Sequence, residues 1–103
     1  MNKPFNQLTD SEAERLALLL EELGEAQQAI GKILRHGYES YHPDALLGYS
    51  NRESLMLELG DVFAAVWLMT AYDLDRPFID KRTRDKLIKV RKYLHHQKNE
   101  VTP

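Results

Sequence analysis

The chain contains no cysteine. Disulfides, thiolate metal sites and a cysteine nucleophile are therefore excluded, and folding needs no oxidising compartment. Glycine and proline are sparse, five and four residues in 103, so few positions punctuate the chain. Neither sign of charge dominates. Fourteen Lys and Arg against sixteen Asp and Glu give a net charge of -2, which is no signature of a nucleic-acid binder, whose domains tend to be strongly basic. The longest uncharged apolar run, Val62 to Tyr72, is too short to span a bilayer, and the opening MNKPFNQLTD has no apolar signal-peptide region. Together these absences predict a cytoplasmic protein that engages neither membrane nor nucleic acid.

What is present is a chain with 43% hydrophobic residues, long enough for one domain with a modest core. The single domain is expected over 1–103, with its core at about 10–96 and a polar tail at 97–103. Thr9-Asp10-Ser11-Glu12 fits a capping box and opens a helix-period segment carrying Leu16, Leu19, Leu20, Leu23, Gln27, Ile30 and Leu34. Gly37, after Arg35 and His36, predicts a left-handed stop. Gly37 to Ser50 reads as a loop, with a short helical turn at Ala45-Leu46-Leu47. Ser50-Asn51-Arg52-Glu53 is a second capping box, followed by LMLELGDVFAAVWLMTAY, apolar on nearly every side and so predicted to be buried all round, with Phe63 and Trp67 in the core. Asp75-Arg76-Pro77 caps a third helix whose narrower stripe is Ile79, Thr83, Leu87, Val90 and Leu94, with Thr83 as a candidate break. No strand alternation or internal repeat appears. The expected fold is all-α: a bundle of three main helices plus a short one, completed by oligomerisation, because a helix apolar on every face needs more cover than two others supply. A homodimer or homotetramer is expected.

Against this apolar background the acids stand out. Glu22 and Glu25 lie one turn apart, and the turn-neighbours of Glu22 include Leu18, Leu19 and Ala26. Glu58 and Asp61 repeat the spacing and are the only acids between Leu55 and Tyr72. Ionised carboxylates buried without partners cost several kcal/mol each, so such positions are tolerated only if something cationic is shared among them. If the two helices face each other, four carboxylates converge as an all-oxygen set suited to Mg²⁺ or Mn²⁺. The plainer reading of one such pair is a solvated helix face or a set of ion pairs. The repetition at one spacing, inside the most apolar segment, favours the metal.

Glu21-Glu22-Leu23-Gly24-Glu25 matches EExxE, and Glu58-Leu59-Gly60-Asp61 matches ExxD. The chain thereby resembles the MazG-like all-α nucleoside triphosphate pyrophosphohydrolases over roughly Leu16 to Leu94. The resemblance implies a helical bundle, usually dimeric or tetrameric, that binds Mg²⁺ and cleaves a nucleoside triphosphate to the monophosphate and pyrophosphate. Carried over by position, Glu22, Glu25, Glu58 and Asp61 would be the metal ligands, and Glu21 the catalytic base or an additional ligand. The interval from Ala26 to Leu57 is longer than the family's two halves lead one to expect.

Lys81 to Lys92 holds seven basic residues and one acid, Asp85, and within it Lys86, Lys89 and Arg91 are candidate phosphate contacts, with a solvated basic face as the plain alternative. The loop HGYESYHPD offers His36, Tyr38, Tyr41 and His42 to a base, though ordinary loop packing explains them equally well. Three rivals compete. A di-iron carboxylate bundle needs two Glu-x-x-His repeats on helices, and the only match, Glu39 to His42, is followed by Pro43. A nucleic-acid module built on the basic part of the third helix is disfavoured by the overall charge and lacks an interleaved aromatic platform, since Tyr93 is the only aromatic from Lys81 to Leu94. A non-catalytic interaction protein of the same fold has no need of four acids in its core.

Overall fold

The computed structural model describes residues 4–41 and 48–97, and the all-α expectation holds over them. The chain divides into two compact units, Met1–Asp73 and Leu74–Pro103. The first contains α1 (Asp10–His36) and α2 (Asn51–Tyr72); the second contains α3 (Arg76–Lys89) and a 3₁₀ turn at Val90–Lys92.

Both capping boxes form. The Thr9 hydroxyl accepts from the Glu12 amide at 3.1 Å while the Thr9 amide donates to Glu12 Oε1 at 2.8 Å. Ser50 and Glu53 repeat the exchange at 3.1 and 3.0 Å. The two remaining first-turn donors of α2 are satisfied by the preceding loop: the Asn51 amide donates to the Ser40 carbonyl and the Arg52 amide to the Tyr38 carbonyl, both at 2.8 Å. Asn51 Nδ2 also donates to the Gly37 carbonyl at 3.1 Å. The start of α2 is thus tied to the end of α1, and Arg15 near the start of α1 pairs with Asp73 just beyond α2. The hairpin is antiparallel.

Ala26 and Ala29 of α1 and Val62, Ala65 and Met69 of α2 are the buried apolar residues among those described, and they line the seam between the two helices. Three of them are alanines, which lets the helix axes approach closely. That closeness brings polar groups at the same seam into reach of one another.

Four expectations change. Gly37 has a positive φ of 86°, but its ψ of 167° lies in the glycine-only mirror-extended region, not the left-handed helical one. The α2 helix is buried on one face, not all round: Phe63 and Trp67 are 69% and 61% exposed, because α1 covers only the side carrying Val62, Ala65 and Met69. The α3 helix is continuous through Thr83, whose hydroxyl donates to the Ile79 carbonyl at 3.0 Å inside the helix. It gives way to the 3₁₀ turn after Lys89, short of the expected stripe end at Leu94. The turn expected at Ala45–Leu47 lies outside the described residues, as do His42 and the tail beyond residue 97.

Candidate metal centre

Glu22 sits on the α1 face that also carries Ala26 and Ala29; Glu58 and Asp61 sit on the α2 face that carries Val62 and Ala65. Because both faces belong to the one helix–helix seam, ligand oxygens of Glu22, Glu58 and Asp61 lie within 4.8 Å of one another. Glu22 and Glu58 are half-buried and Asp61 is exposed, so the trio spans the edge of the seam.

Glu25 is outside this trio. Its carboxylate approaches Glu58, and the two line a cleft of about 190 Å³ together with Lys32, Asn51 and Ser54. Glu21 is exposed and lines an adjoining groove with Glu25. Of the four expected ligands, three therefore converge and the fourth stands beside one of them.

The electrostatics are those of crowded like charges. The Glu22 carboxyl is held above its ordinary pKa of 4.5, first by burial and then by the charges of Asp61, Glu25, Glu21 and Glu58. The Glu58 carboxyl is likewise raised, by burial, by Glu25 and Asp61, and by a hydrogen bond with Glu25, with Lys32 acting in the opposite sense. Glu58 Oε2 is buried and has no hydrogen-bond partner, the one such side-chain atom among the described residues. A buried acceptor left unpaired is unfavourable. A hard divalent cation suits all of this: the donors are all oxygen, they are carboxylates, they come from two helices, and one has an oxygen that no hydrogen bond engages.

No family model, curated protein or solved structure matches the chain.

Lys86 and Lys89 on α3 and Arg91 in the 3₁₀ turn belong to the second unit, where all three are exposed and none enters an ion pair among the described residues. In the loop, the Arg52 guanidinium stacks on the Tyr38 ring at 4.2 Å and pairs with Glu39, so Tyr38 is engaged in local packing. Two groups escaped the sequence reading. Lys32 and Arg35 lie on the α1 face that also carries Glu21 and Glu25, and the signal for them was helical periodicity, Lys32 following Glu25 by two helical turns.

Proposed function

We propose that this chain is a Mg²⁺-dependent nucleoside triphosphate pyrophosphohydrolase, converting a (d)NTP and water to the (d)NMP and pyrophosphate. The observation that carries the reading is the meeting of Glu22, Glu58 and Asp61 across two helices, together with a buried Glu58 oxygen that has no hydrogen-bond partner. The EExxE and ExxD spacing supports it from the sequence. Glu22, Glu58 and Asp61, with Glu25 beside Glu58, would hold Mg²⁺ or Mn²⁺, which when bound neutralises phosphate charge and acidifies a coordinated water. Glu21, an exposed carboxylate on the same helix, takes the proton of the attacking water. The new bond forms between that water and the α-phosphorus, and the bond from the α-phosphorus to the α–β bridging oxygen breaks, releasing pyrophosphate. Lys86, Lys89 and Arg91 are phosphate contacts in this reading.

A second copy of the chain belongs to the same proposal. Leu16, Leu20, Leu23, Ile30 and Leu34 form a stripe at three-, four- and seven-residue steps on α1 that stays exposed, with Leu20 at 74% and Leu34 at 82%. Met56, Leu59, Phe63 and Trp67 form another on α2. Two such stripes on one hairpin match what a homodimer or homotetramer would cover. By length and composition α2 is also long and apolar enough to cross a membrane. Glu58 and Asp61 near its middle weigh against that, since carboxylates in hydrocarbon are costly, and favour a cytoplasmic protein.

The test is a panel of canonical and modified (d)NTPs with Mg²⁺, with pyrophosphate and phosphate release read separately. Pyrophosphate release abolished by EDTA and restored by Mg²⁺ or Mn²⁺ is the expected result. Inactivity across the panel favours the alternative, a non-catalytic helical interaction protein, for which the exposed stripes are the supporting observation.

A further inference from the structure

Along α1, Glu21, Glu25, Gln28, Lys32 and Arg35 recur at steps of four and three, so they share one face and line an open groove of about 830 Å³. The groove is polar by design of its ends: carboxylates at one, cations at the other. From Glu25 to Lys32 the helix rises about 10 Å, a gap that a chain of phosphates bridges and a single phosphate does not.

The cations at the far end are uncommitted. The described part of the first unit carries four Lys and Arg residues. Arg15 is paired with Asp73 and Arg52 with Glu39. Lys32 and Arg35 have no carboxylate partner among the described residues, and both line this groove.

Its floor is equally telling. Gly24 and Gly31 line it, seven residues apart on the same face. Glycine inside a helix is more unfavourable than any residue except proline. Neither position repays that through packing, because a Cβ added at Gly24 or Gly31 would meet nothing within 4 Å. The space they leave opens onto the groove, where a ligand can lie against the helix backbone.

We propose that this groove is a polyphosphate-binding site, in which Lys32 and Arg35 contact phosphate oxygens and Gly24 and Gly31 allow the chain of phosphates to lie close to α1. The proposal rests on the pyrophosphohydrolase reading for its ligand class. The carboxylates keep net negative charge even with one divalent cation among them, so they repel the phosphates beyond the metal. Lys32 and Arg35 offset that repulsion from within the same helix.

The probe is inorganic tripolyphosphate titrated calorimetrically into the full chain with saturating Mg²⁺, alongside Mg²⁺ titrated alone. Binding is read without turnover, so a wild type that binds tripolyphosphate yet hydrolyses no nucleotide removes the enzymatic reading and leaves the groove. Wild type is expected to bind, and the double variant Lys32→Gln, Arg35→Gln to lose at least about tenfold in tripolyphosphate affinity, as expected for charge-assisted contacts. Its affinity for Mg²⁺ alone should hold or rise, since the variant removes two positive charges from the helix that carries Glu22 and Glu25 and so lessens the repulsion of a cation. Gly31→Ala should melt at a higher temperature while binding tripolyphosphate more weakly. Several results would overturn the proposal: no tripolyphosphate binding by wild type, unchanged affinity in the double variant, or equal losses for tripolyphosphate and Mg²⁺. A lower melting temperature without an affinity change would assign Lys32 and Arg35 to the helix C-terminal dipole instead. A change of oligomeric state in Gly31→Ala would assign the groove to a second copy.

Discussion

Arg15 and Asp73, 58 residues apart, meet in a two-point ion pair, with Arg15 Nε donating to Asp73 Oδ2 at 2.7 Å and Nη2 donating to Oδ1 at 2.9 Å. The Arg15 guanidinium also lies 4.8 Å from the centre of the Tyr72 ring. The contact fastens the open end of the α1–α2 hairpin, opposite the end tied by Asn51 and Gly37. The Arg15 hydrogen bond holds the Asp73 carboxyl below its ordinary 3.8. A depressed carboxyl stabilises the fold above its unfolded value, and that contribution disappears as pH falls through the folded one. Arg15→Lys keeps the charge but loses the planar fork. It should lower the melting temperature at pH 7, and the gap from wild type should close in strongly acid solution. Identical melting curves at pH 7 would show that the fork contributes nothing.

The exposed stripe on α2 yields a second expectation. Wild type should sediment as a dimer or tetramer of the 12.0 kDa chain. Phe63→Glu with Trp67→Glu should shift it to monomer, because interface aromatics of this kind are each worth about 2 kcal/mol or more. Both side chains are outside the intrachain core, so helicity by circular dichroism should persist. A wild type that sediments as a monomer at micromolar concentration would end the self-association reading.

Helix starts were legible because they are local: Thr9 with Glu12 and Ser50 with Glu53 lie three residues apart, and each pair closes its box without help from the rest of the chain. The acid pairs were legible by the same spacing. Which of Glu22 and Glu25 would join Asp61 was not, because a three-residue step turns the side chain by about 60° from its starting direction. The choice then depends on helix rotation and axial offset, which packing at Ala26, Ala29 and Ala65 decides. The exposure of Phe63 and Trp67 was illegible for a related reason. An all-round apolar helix does not say which of its faces its own chain covers. Thr83 misled because its hydroxyl bonds back to Ile79 within the helix and leaves it intact.

The acid cluster makes the metal-free fold sensitive to pH in a defined direction. Glu22 and Glu58 are raised above 4.5 by burial and by one another's neighbours, Asp61, Glu25 and Glu21. Above 4.5 the native state therefore holds protons that the unfolded chain has released, so stability falls as pH rises from there toward neutrality. In EDTA the melting temperature should increase from pH 7 to pH 5. With saturating Mg²⁺ the trend should reverse, since protons compete with the metal for the same carboxylates. A metal-free melting temperature that is flat or lower at pH 5 would contradict the crowding of these acids.

Asp61→Asn separates site from scaffold. The substitution keeps the shape of a side chain whose oxygen lies within 4.8 Å of ligand oxygens from Glu22 and Glu58, while removing one negative charge. Mg²⁺ binding to the native state alone adds RT ln(1 + [L]/Kd), about 2.7 kcal/mol at a hundredfold excess over Kd. Wild type should therefore melt higher with Mg²⁺, and Asp61→Asn should lose most of that increment together with pyrophosphate release. In EDTA the same variant should melt at the wild-type temperature or above it, because the lost charge relieves Glu22 and Glu58. An Asp61 that served a buried ion pair would behave oppositely, its Asn variant losing about 3 to 5 kcal/mol in any buffer. No such partner is found for Asp61 among the described residues. A large loss of stability that is the same with and without metal would remove Asp61 from the metal centre and leave α2 with Glu58 alone.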